Sequence, residues 1–168
     1  MHDEVREGQF LSISVPRNNF PLTDDVQRTV LIGGGIGITP LLAMAEDLSA
    51  RGSHFELHYC VRSRERAAFL NRLASSGFSD QVGIYFDDEP AFGRLDVNSI
   101  LGDPSNGAHL YVCGPSGFMA HVLTCATDLG WPEVQVHREF FAPAIPSTNA
   151  PSGEFEIELT RSGTVLKV

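Results

Sequence analysis

The sequence is poor in the residues that build disulfide frameworks and in the long apolar runs that cross membranes. It has three cysteines in 168 residues, Cys60, Cys113 and Cys125, which are too few and too scattered for a disulfide scaffold or a zinc site. No apolar run approaches the ~18 residues of a membrane span, and the charged N-terminus contains no signal-like apolar segment. These absences predict a soluble, cytoplasmic protein with reduced thiols.

Positive charge is also scarce. Lysine and arginine number 12 against 21 aspartates and glutamates, which gives a formal net charge of -9. A surface of this sign repels nucleic acids and anionic membranes, so neither is expected as a partner. Hydrophobic residues make up 42% of the chain, and a chain of this length can bury one good core.

The central part of the chain alternates short β-branched or aromatic runs with helical patterns. This alternation is typical of βαβ units on a parallel sheet. We predict an α/β fold in which five parallel strands form a Rossmann-like sheet with helices on both faces. The predicted strands are residues 28–32, 55–62, 82–86, 108–113 and 134–140; the predicted helices are 39–50, 63–76 with Ser63 as its cap, 97–101 and 116–129.

A glycine-rich segment follows the first predicted strand. The sequence Val30-Leu-Ile-Gly-Gly-Gly-Ile-Gly-Ile-Thr-Pro40 joins that strand to the next helix. Its glycines, Gly33, Gly34, Gly35 and Gly37, permit a sharp turn and a close approach of the backbone to a pyrophosphate. The spacing differs from the G-x-G-x-x-G fingerprint of dehydrogenases and lacks the lysine of a P-loop. From the loop alone, a nucleotide site and a structural turn are equally good interpretations.

Basic residues follow the second predicted strand. Because open parallel sheets bind ligands at the carboxyl ends of their strands, these residues lie where a ligand is expected. Arg62 or Arg64 could pair with phosphate or stack on adenine beside Ser63. The alternative is an ordinary exposed arginine next to a capping serine.

The third and fourth strand ends carry an acidic pair and a cysteine. Asp87 and Asp88 could accept hydrogen bonds from ribose hydroxyls and repel a further phosphate, or they could simply favour a solvated loop. Cys113, before Gly114 and Pro115, could touch a flat ring through a small polarisable side chain, or it could lie in the core. The agreement of four strand ends on one rim favours a ligand over chance.

Other catalytic patterns fail on spacing. Ser116 lies in Gly-Pro-Ser-Gly, which lacks the G-x-S-x-G order of a nucleophile elbow, so a hydrolase is not expected. His54 and His58 are four apart on a predicted strand, and no further ligand is obvious. We therefore predict neither a catalytic side chain nor a metal site.

The two ends of the chain break the βαβ rhythm. Residues 7–16 alternate apolar and polar like one strand of an antiparallel sheet. Residues 142–153 form a linker rich in proline and serine, and the remaining residues to 168 read as two strands around Ser162-Gly163. Because a lone strand or hairpin is marginal by itself, the pattern predicts a chain that begins inside one domain, contains a second and stops inside a third.

Four segments together resemble the pyridine-nucleotide domain of the ferredoxin reductase superfamily, most closely the branch of phthalate dioxygenase reductase and vanillate demethylase reductase. They are Gly33-Gly-Gly-Ile-Gly-Ile-Thr-Pro40, Tyr59-Cys-Val-Arg-Ser63, Tyr111-Val-Cys-Gly-Pro115 and Glu139-Phe-Phe141. In that branch a flavin domain, a nucleotide domain and a plant-type 2Fe-2S ferredoxin domain follow one another. The resemblance implies a flavin-barrel remnant at 1–22, an NAD(P)-binding domain at 23–141, a linker at 142–153 and a truncated ferredoxin domain at 154–168.

The resemblance also implies a function. A hydride would pass from NADH to flavin, and electrons would pass through a 2Fe-2S centre to a partner oxygenase, with the cofactors carrying the chemistry. By this likeness the glycine loop with Thr39 and Pro40 holds the pyrophosphate and nicotinamide end, Arg62 and Ser63 the adenosine, and Cys113, Gly114 and Pro115 the nicotinamide, while Phe140 or Phe141 lies near the flavin. Asp87 favours NADH over NADPH.

The sequence departs from the full family pattern. It contains no R-x-Y-S segment to hold flavin and no C-x4-C-x2-C run to ligate a cluster. FMN and 2Fe-2S are therefore expected only in a full-length protein, and this chain is expected to be either an inactive fragment or a minimal remnant. Two alternatives remain: a stand-alone nucleotide-binding module without turnover, and an adaptor with no ligand. An exposed apolar surface is expected where the flavin domain would dock.

Overall fold

A five-stranded parallel sheet forms the centre of the molecule. The structure is a computed structural model that describes residues 5–24, 26–89, 94–104 and 107–141, and the backbone of 156–159 and 164–167. The strands lie in the order β3-β2-β1-β4-β5 and all pair in parallel, which confirms the predicted fold class. Their bounds are β1 Arg28–Gly34, β2 Phe55–Val61, β3 Val82–Phe86, β4 Ala108–Cys113 and β5 Val136–Glu139.

Helices cover both faces of this sheet. They are α1 Ile38–Ala50, α2 Leu70–Ala74, α3 Val97–Leu101 and α4 Ser116–Asp128. Leu31 of β1 packs into the core on the side of α1 and α2, whereas Val30 and Ile32 pack into the core on the side of α3 and α4. Because both faces of β1 are buried, this strand is a continuous apolar run. None of the helices in the described parts of the chain has the length and hydropathy of a membrane-spanning segment.

The connections reverse direction next to β1. From β1 the chain proceeds to β2 and β3 on one side, and it then returns to β4 and β5 on the other. The carboxyl ends of β1 and β4 therefore flank the topological switch point, where loops diverge above and below the sheet and leave a crevice. Both the glycine loop and the Cys113-Gly-Pro segment leave their strands at this crevice.

The predicted helix at 63–76 is wrong in its first half. Residues Arg64–Arg66 form one 3-10 turn, and the α-helix is confined to α2. Phe69 adopts a left-handed conformation with φ of 62°, which separates the two pieces. The Ala68 N–H donates to the hydroxyl of Tyr59 at 3.1 Å, so a buried tyrosine satisfies its hydroxyl with an amide that a continuous helix would use itself. Ser63 makes no capping hydrogen bond.

Residues 7–16 form no strand and pair with no other strand in the described parts of the chain. A lone strand has no partner for its backbone groups, so the assignment of this segment to an incomplete antiparallel sheet stays a prediction. Among the described residues, burial begins at Phe20. Its ring lies 5.6 Å from that of Tyr111, and the Thr23 N–H donates to the Tyr111 hydroxyl at 2.7 Å.

At the C-terminus the predicted hairpin is confirmed. Strands β6 Glu156–Leu159 and β7 Thr164–Lys167 pair in antiparallel fashion in a sheet of their own. The predicted linker at 142–153 and the turn at Ser162-Gly163 lie outside the described residues. At the other boundary, β5 begins two residues later than predicted, because Glu133–Gln135 form a 3-10 turn.

Candidate functional site

A cleft of about 560 Å³ opens at the carboxyl ends of β1, β2 and β3 and at the start of α4. Its volume lies in the range of small-molecule and cofactor sites. Five predicted site residues line it: Gly34, Gly35, Arg62, Asp87 and Pro115. The remaining lining residues are Cys60, Val61, Arg66, Gly117 and Phe118. The topology therefore brings residues from four strand ends to one cavity, as the sequence predicted for this rim.

The glycine loop fits this cleft by staying close to the backbone of the β4 end. Gly35 has φ of +53° and begins a 3-10 turn, Gly35–Gly37, that leads into α1. A Cβ atom at Gly37 would overlap the carbonyl oxygen of Cys113, so only glycine fits at this close approach. The two loops at the switch point are thus in close contact through backbone atoms.

Two helices begin beside the loops without a side-chain cap. Neither Gly37 at α1 nor Pro115 at α4 makes a capping hydrogen bond. At α1 the preceding 3-10 turn already supplies a partner, because the Ile38 N–H donates to the carbonyls of Gly35 and Ile36. The first amides of α4 lack an intrahelical partner and lie at the positive end of the helix dipole. The residues at the start of α4, Gly117 among them, line the cleft itself. These amides can therefore bind an anionic phosphate.

Charged side chains also line the cleft. Arg62 and Arg66 line it together with Asp87, whose N–H donates to the carbonyl of Val61 at 3.0 Å. Two arginines suit phosphate or a purine face, and a carboxylate accepts hydrogen bonds from ribose hydroxyls. The cleft thus offers groups for each part of a nucleotide.

Arg64 does not line the cleft. Its guanidinium lies 4.6 Å above the ring of Phe86 and 3.5 Å from Glu89. Of the two arginines that the sequence offered, Arg62 therefore lines the cleft, and Arg66, which the sequence analysis did not select, lines it as well.

The two cysteines near the cleft are protonated thiols at neutral pH. Burial, and then the carboxylate of Asp87, raises the pKa of Cys60 to about 12. Burial, and then Glu139, raises the pKa of Cys113 to about 11. A thiol acts as a nucleophile only as thiolate, so neither cysteine is suited to covalent chemistry.

The other predicted residues lie around the cleft or beyond it. Gly33, Gly37 and Cys113 are buried and support its floor, while Gly114, Ser63 and Thr39 are half-buried. The Thr39 hydroxyl donates to the carbonyl of Ile36 at 3.0 Å. Phe118 also lines the cleft and was not predicted to do so. Its position three residues after Pro115, in the first turn of the predicted helix, was the signal that places it at the same strand end.

A second cavity lies on the other side of α1. It has a volume of about 480 Å³ and is bounded by residues 17–22, by Pro40, Met44 and Asp47 of α1, and by Glu139 at the end of β5. Of the predicted residues, Pro40 lines this cavity rather than the cleft. Phe140 and Phe141 follow Glu139 with about half of each side chain exposed. Pro40, Phe140 and Phe141 are therefore absent from the lining of the cleft that contains Arg62.

Known proteins resemble this chain over its whole length. No protein-family model matches the sequence. A vanillate O-demethylase oxidoreductase from Pseudomonas sp. (strain HR199 / DSM 7063) is 48% identical over 168 residues, which cover all of this chain and 53% of that protein. The chain spans about half the length of the curated relatives it matches.

Solved structures show the same fold. Phthalate dioxygenase reductase, described as a modular structure for electron transfer from pyridine nucleotides to a 2Fe-2S centre, matches with a TM-score of 0.72 and 35% identity over 92% of this chain and 48% of that chain. An intact type IV self-sufficient cytochrome P450 monooxygenase matches with a TM-score of 0.76 and 36% identity over 99% of this chain and 21% of that one.

Proposed function

Because this chain belongs to the ferredoxin reductase superfamily, in the branch of phthalate dioxygenase reductase and vanillate demethylase reductase, we propose that it is the NADH-binding part of an oxygenase reductase component. The observation that carries the proposal is the cleft at the switch point, which joins a glycine loop, an uncapped helix start, two arginines and a carboxylate. The three cysteines of the chain are free thiols, which supports a cytoplasmic location for the protein.

The residues present fit a dinucleotide. Backbone amides of Gly34, Gly35 and the first turn of α4 would hold the pyrophosphate, because these glycines and Gly117 line the cleft without a side chain that would keep a phosphate away from the backbone. Arg62, with Ser63 beside it, would hold the adenosine, and Asp87 would accept a hydrogen bond from its ribose. Cys113, Gly114 and Pro115, with Thr39 and Pro40 across the loop, would face the nicotinamide.

The chemistry belongs to the cofactors rather than to side chains. Bound NADH would supply a hydride for a flavin, from which electrons would reach a 2Fe-2S centre and a partner oxygenase. The raised pKa values of Cys60 and Cys113 support a purely positioning role for the protein, because both thiols stay neutral. This chain would orient the nicotinamide and exclude competing ligands from the cleft.

The flavin and the cluster would belong to neighbouring domains. The sequence has neither R-x-Y-S nor C-x4-C-x2-C, and we propose that residues 1–22 end a flavin-binding barrel and that 154–168 begin a ferredoxin domain. The unpaired residues 7–16 and the β6–β7 hairpin support this division. Exposed Phe140 and Phe141 would lie at the flavin side.

Titration of NADH into the purified chain tests the nucleotide-binding proposal. We expect saturable binding by isothermal titration calorimetry, and Arg62→Ala should weaken it roughly ten- to hundredfold, since a charged hydrogen bond contributes about 1.5–3 kcal/mol. Arg138→Ala is the matched control, because Arg138 is an exposed arginine whose nearest carboxylate, Glu133, lies 3.6 Å away and outside the cleft. No saturable binding at millimolar NADH would defeat the proposal.

The coding sequence on either side of these 168 residues tests the domain proposal. An upstream R-x-Y-S motif and a downstream C-x4-C-x2-C motif are expected in the same reading frame. In-frame stop codons directly on both sides would contradict it.

A further inference from the structure

Phe118 lies where the walls of the cleft meet the core. It is in the first turn of α4, it lines the cleft, and its half-buried ring packs against the core beneath α3 and α4. It is the one aromatic residue among the cleft's lining side chains. A large ring in a lining that otherwise consists of glycines, charged groups and the small side chains of Cys60, Val61 and Pro115 calls for a physical reason.

The ring fills the space that two glycines leave. A Cβ at Gly34 would lie 2.7 Å from Cδ1 of Phe118, and a Cβ at Gly114 would lie 2.8 Å from the same atom. The Gly114 Cβ would also stand 3.0 Å from Cα of Gly34. One ring therefore contacts both loops of the switch point at once, and it contacts them at the positions where each loop lacks a side chain.

We propose that Phe118 is a positioning residue that sets the spacing between the loop after β1 and the loop after β4. This inference rests on the proposed NADH site. The phosphate-binding amides belong to these two loops and to the helix that carries Phe118, so their mutual geometry depends on what the ring touches. A phenyl ring is rigid, with two side-chain torsions, and it holds such a spacing better than a flexible aliphatic chain.

The spacing role predicts a specific non-additivity between positions 34 and 118. Phe118→Ala should weaken NADH binding roughly tenfold, because the loops lose their spacer. Gly34→Ala should weaken it to a similar degree, because the new methyl group displaces the ring. In the double variant the methyl group enters the space that the ring has left, so adding Gly34→Ala to Phe118→Ala should cost less than about threefold.

Calorimetric titration of NADH and of ADP-ribose into the four proteins measures this coupling. Both ligands carry the pyrophosphate, so both should show it. Leu123→Ala is the control, because Leu123 packs against the same core from the same helix and does not line the cleft. Its NADH affinity should match that of the wild type. Phe118→Leu, which retains apolar bulk, should bind with intermediate affinity, and it replaces Phe118→Ala if that variant does not fold by circular dichroism.

The outcomes separate this inference from the function on which it rests. If the wild-type chain binds NADH and Phe118→Ala binds it with the same affinity, the spacing role is overturned and the NADH site stands. The same conclusion follows if the effects of Gly34→Ala and Phe118→Ala on affinity are independent. An equal loss in Leu123→Ala also overturns it, since the effect would then be general loosening of the helix. Failure of the wild-type chain to bind either ligand overturns the NADH site, and the spacing role falls with it.

Discussion

At the scale of single residues, the cleft depends on contacts that one methyl group would disturb. The backbone of Gly37 lies so close to the Cys113 carbonyl that any side chain must displace one of the two loops. Overpacking of this kind forces backbone shifts rather than a simple change of rotamer. The glycine loop is thus held in its conformation by tertiary contact as much as by its own turn preference.

Gly37→Ala should lower the free energy of unfolding by roughly 1–3 kcal/mol and should also weaken NADH binding. Urea denaturation followed by circular dichroism measures the first effect, and calorimetry measures the second. Gly77→Ala is the control, because a Cβ at Gly77 meets no atom within 4 Å; its stability should be unchanged or up to about 1 kcal/mol higher. Equal stability of the two variants would show that the loops can separate freely.

Asp87→Asn should shift nucleotide preference towards NADPH. The amide keeps a hydrogen-bonding group near the ribose but removes the charge that repels a 2′-phosphate, while Arg62 and Arg66 remain beside it in the cleft. The ratio of NADPH to NADH dissociation constants should fall roughly tenfold, by the loss of one charge interaction. Asp88→Asn is the matched control, since the adjacent Asp88 is exposed and does not line the cleft. The same ratio in both variants would remove Asp87 from the ribose site.

The location of residues at the strand ends was predictable from the sequence, but the side-chain contacts that they make were not. Arg62, Asp87 and Pro115 follow strands whose apolar runs are plain in the sequence, so their place on one rim followed from topology. The sequence did not predict that Arg66, rather than Arg64, lines the cleft. The positions of both arginines depend on a 3-10 turn that the contact between Tyr59 and Ala68 favours. Such contacts join residues that no local pattern connects.

At the scale of elements, the pairing of β4 with β5 brings two histidines together. Nδ1 of His109 lies 2.9 Å from Nε2 of His137, and the His137 ring stacks on Tyr111 with centroids 4.3 Å apart. One imidazole donates and the other accepts, so both rings cannot be charged without losing this bond. Burial lowers the pKa of His109, and burial together with the charge of His109 lowers the pKa of His137.

The chain should lose stability as the pH falls below about 6.5, the unperturbed histidine pKa. Both histidine pKa values are lower in the folded chain than in the unfolded chain. Between the folded value and about 6.5 the unfolded chain therefore binds more protons, so the free energy of unfolding decreases as the pH is lowered through that window. Burial lowers the pKa of His58 as well, which acts in the same direction. Urea midpoints at pH 7.5 and 5.5 measure the effect.

His137→Phe should reduce this dependence on pH, because a phenyl ring can stack on Tyr111 and cannot be protonated. His54→Gln is the control, since His54 is an exposed histidine in the loop before β2, and it should leave the difference between the two midpoints unchanged. An undiminished loss of stability at pH 5.5 in His137→Phe would exclude the β4–β5 pair as its source.

At the scale of the whole molecule, the N-terminal segment leaves apolar side chains in solvent. Phe10 is fully exposed, and Ile13 and Val15 are more than four-fifths exposed. Neighbouring exposed groups of this kind mark a surface that another protein surface covers. These three side chains lie in the segment that we propose as the end of a flavin-binding barrel, whose other parts would cover them.

Replacing Phe10, Ile13 and Val15 together by serine should reduce self-association of the chain and leave its free energy of unfolding unchanged. Each removed side chain withdraws apolar area that association would bury, at about 25 cal/mol per Å². Sedimentation velocity over a range of concentrations measures the change. Val134→Ser is the control, because Val134 is an exposed apolar residue outside this segment. Equal self-association of the triple variant and the wild type would show that the chain self-associates through another surface.

The class of fold, the five strands and the rim that carries the candidate site were all predictable from local patterns along the chain. Periodic apolar runs and glycine loops are local signals, and parallel strands place their carboxyl ends together whatever the details of packing. The short α2, and the presence of Arg66 rather than Arg64 in the lining of the cleft, came from tertiary contacts. Each of those outcomes depends on a contact between residues distant in sequence or on opposite sides of a turn, where the free energy of packing outweighs local preference.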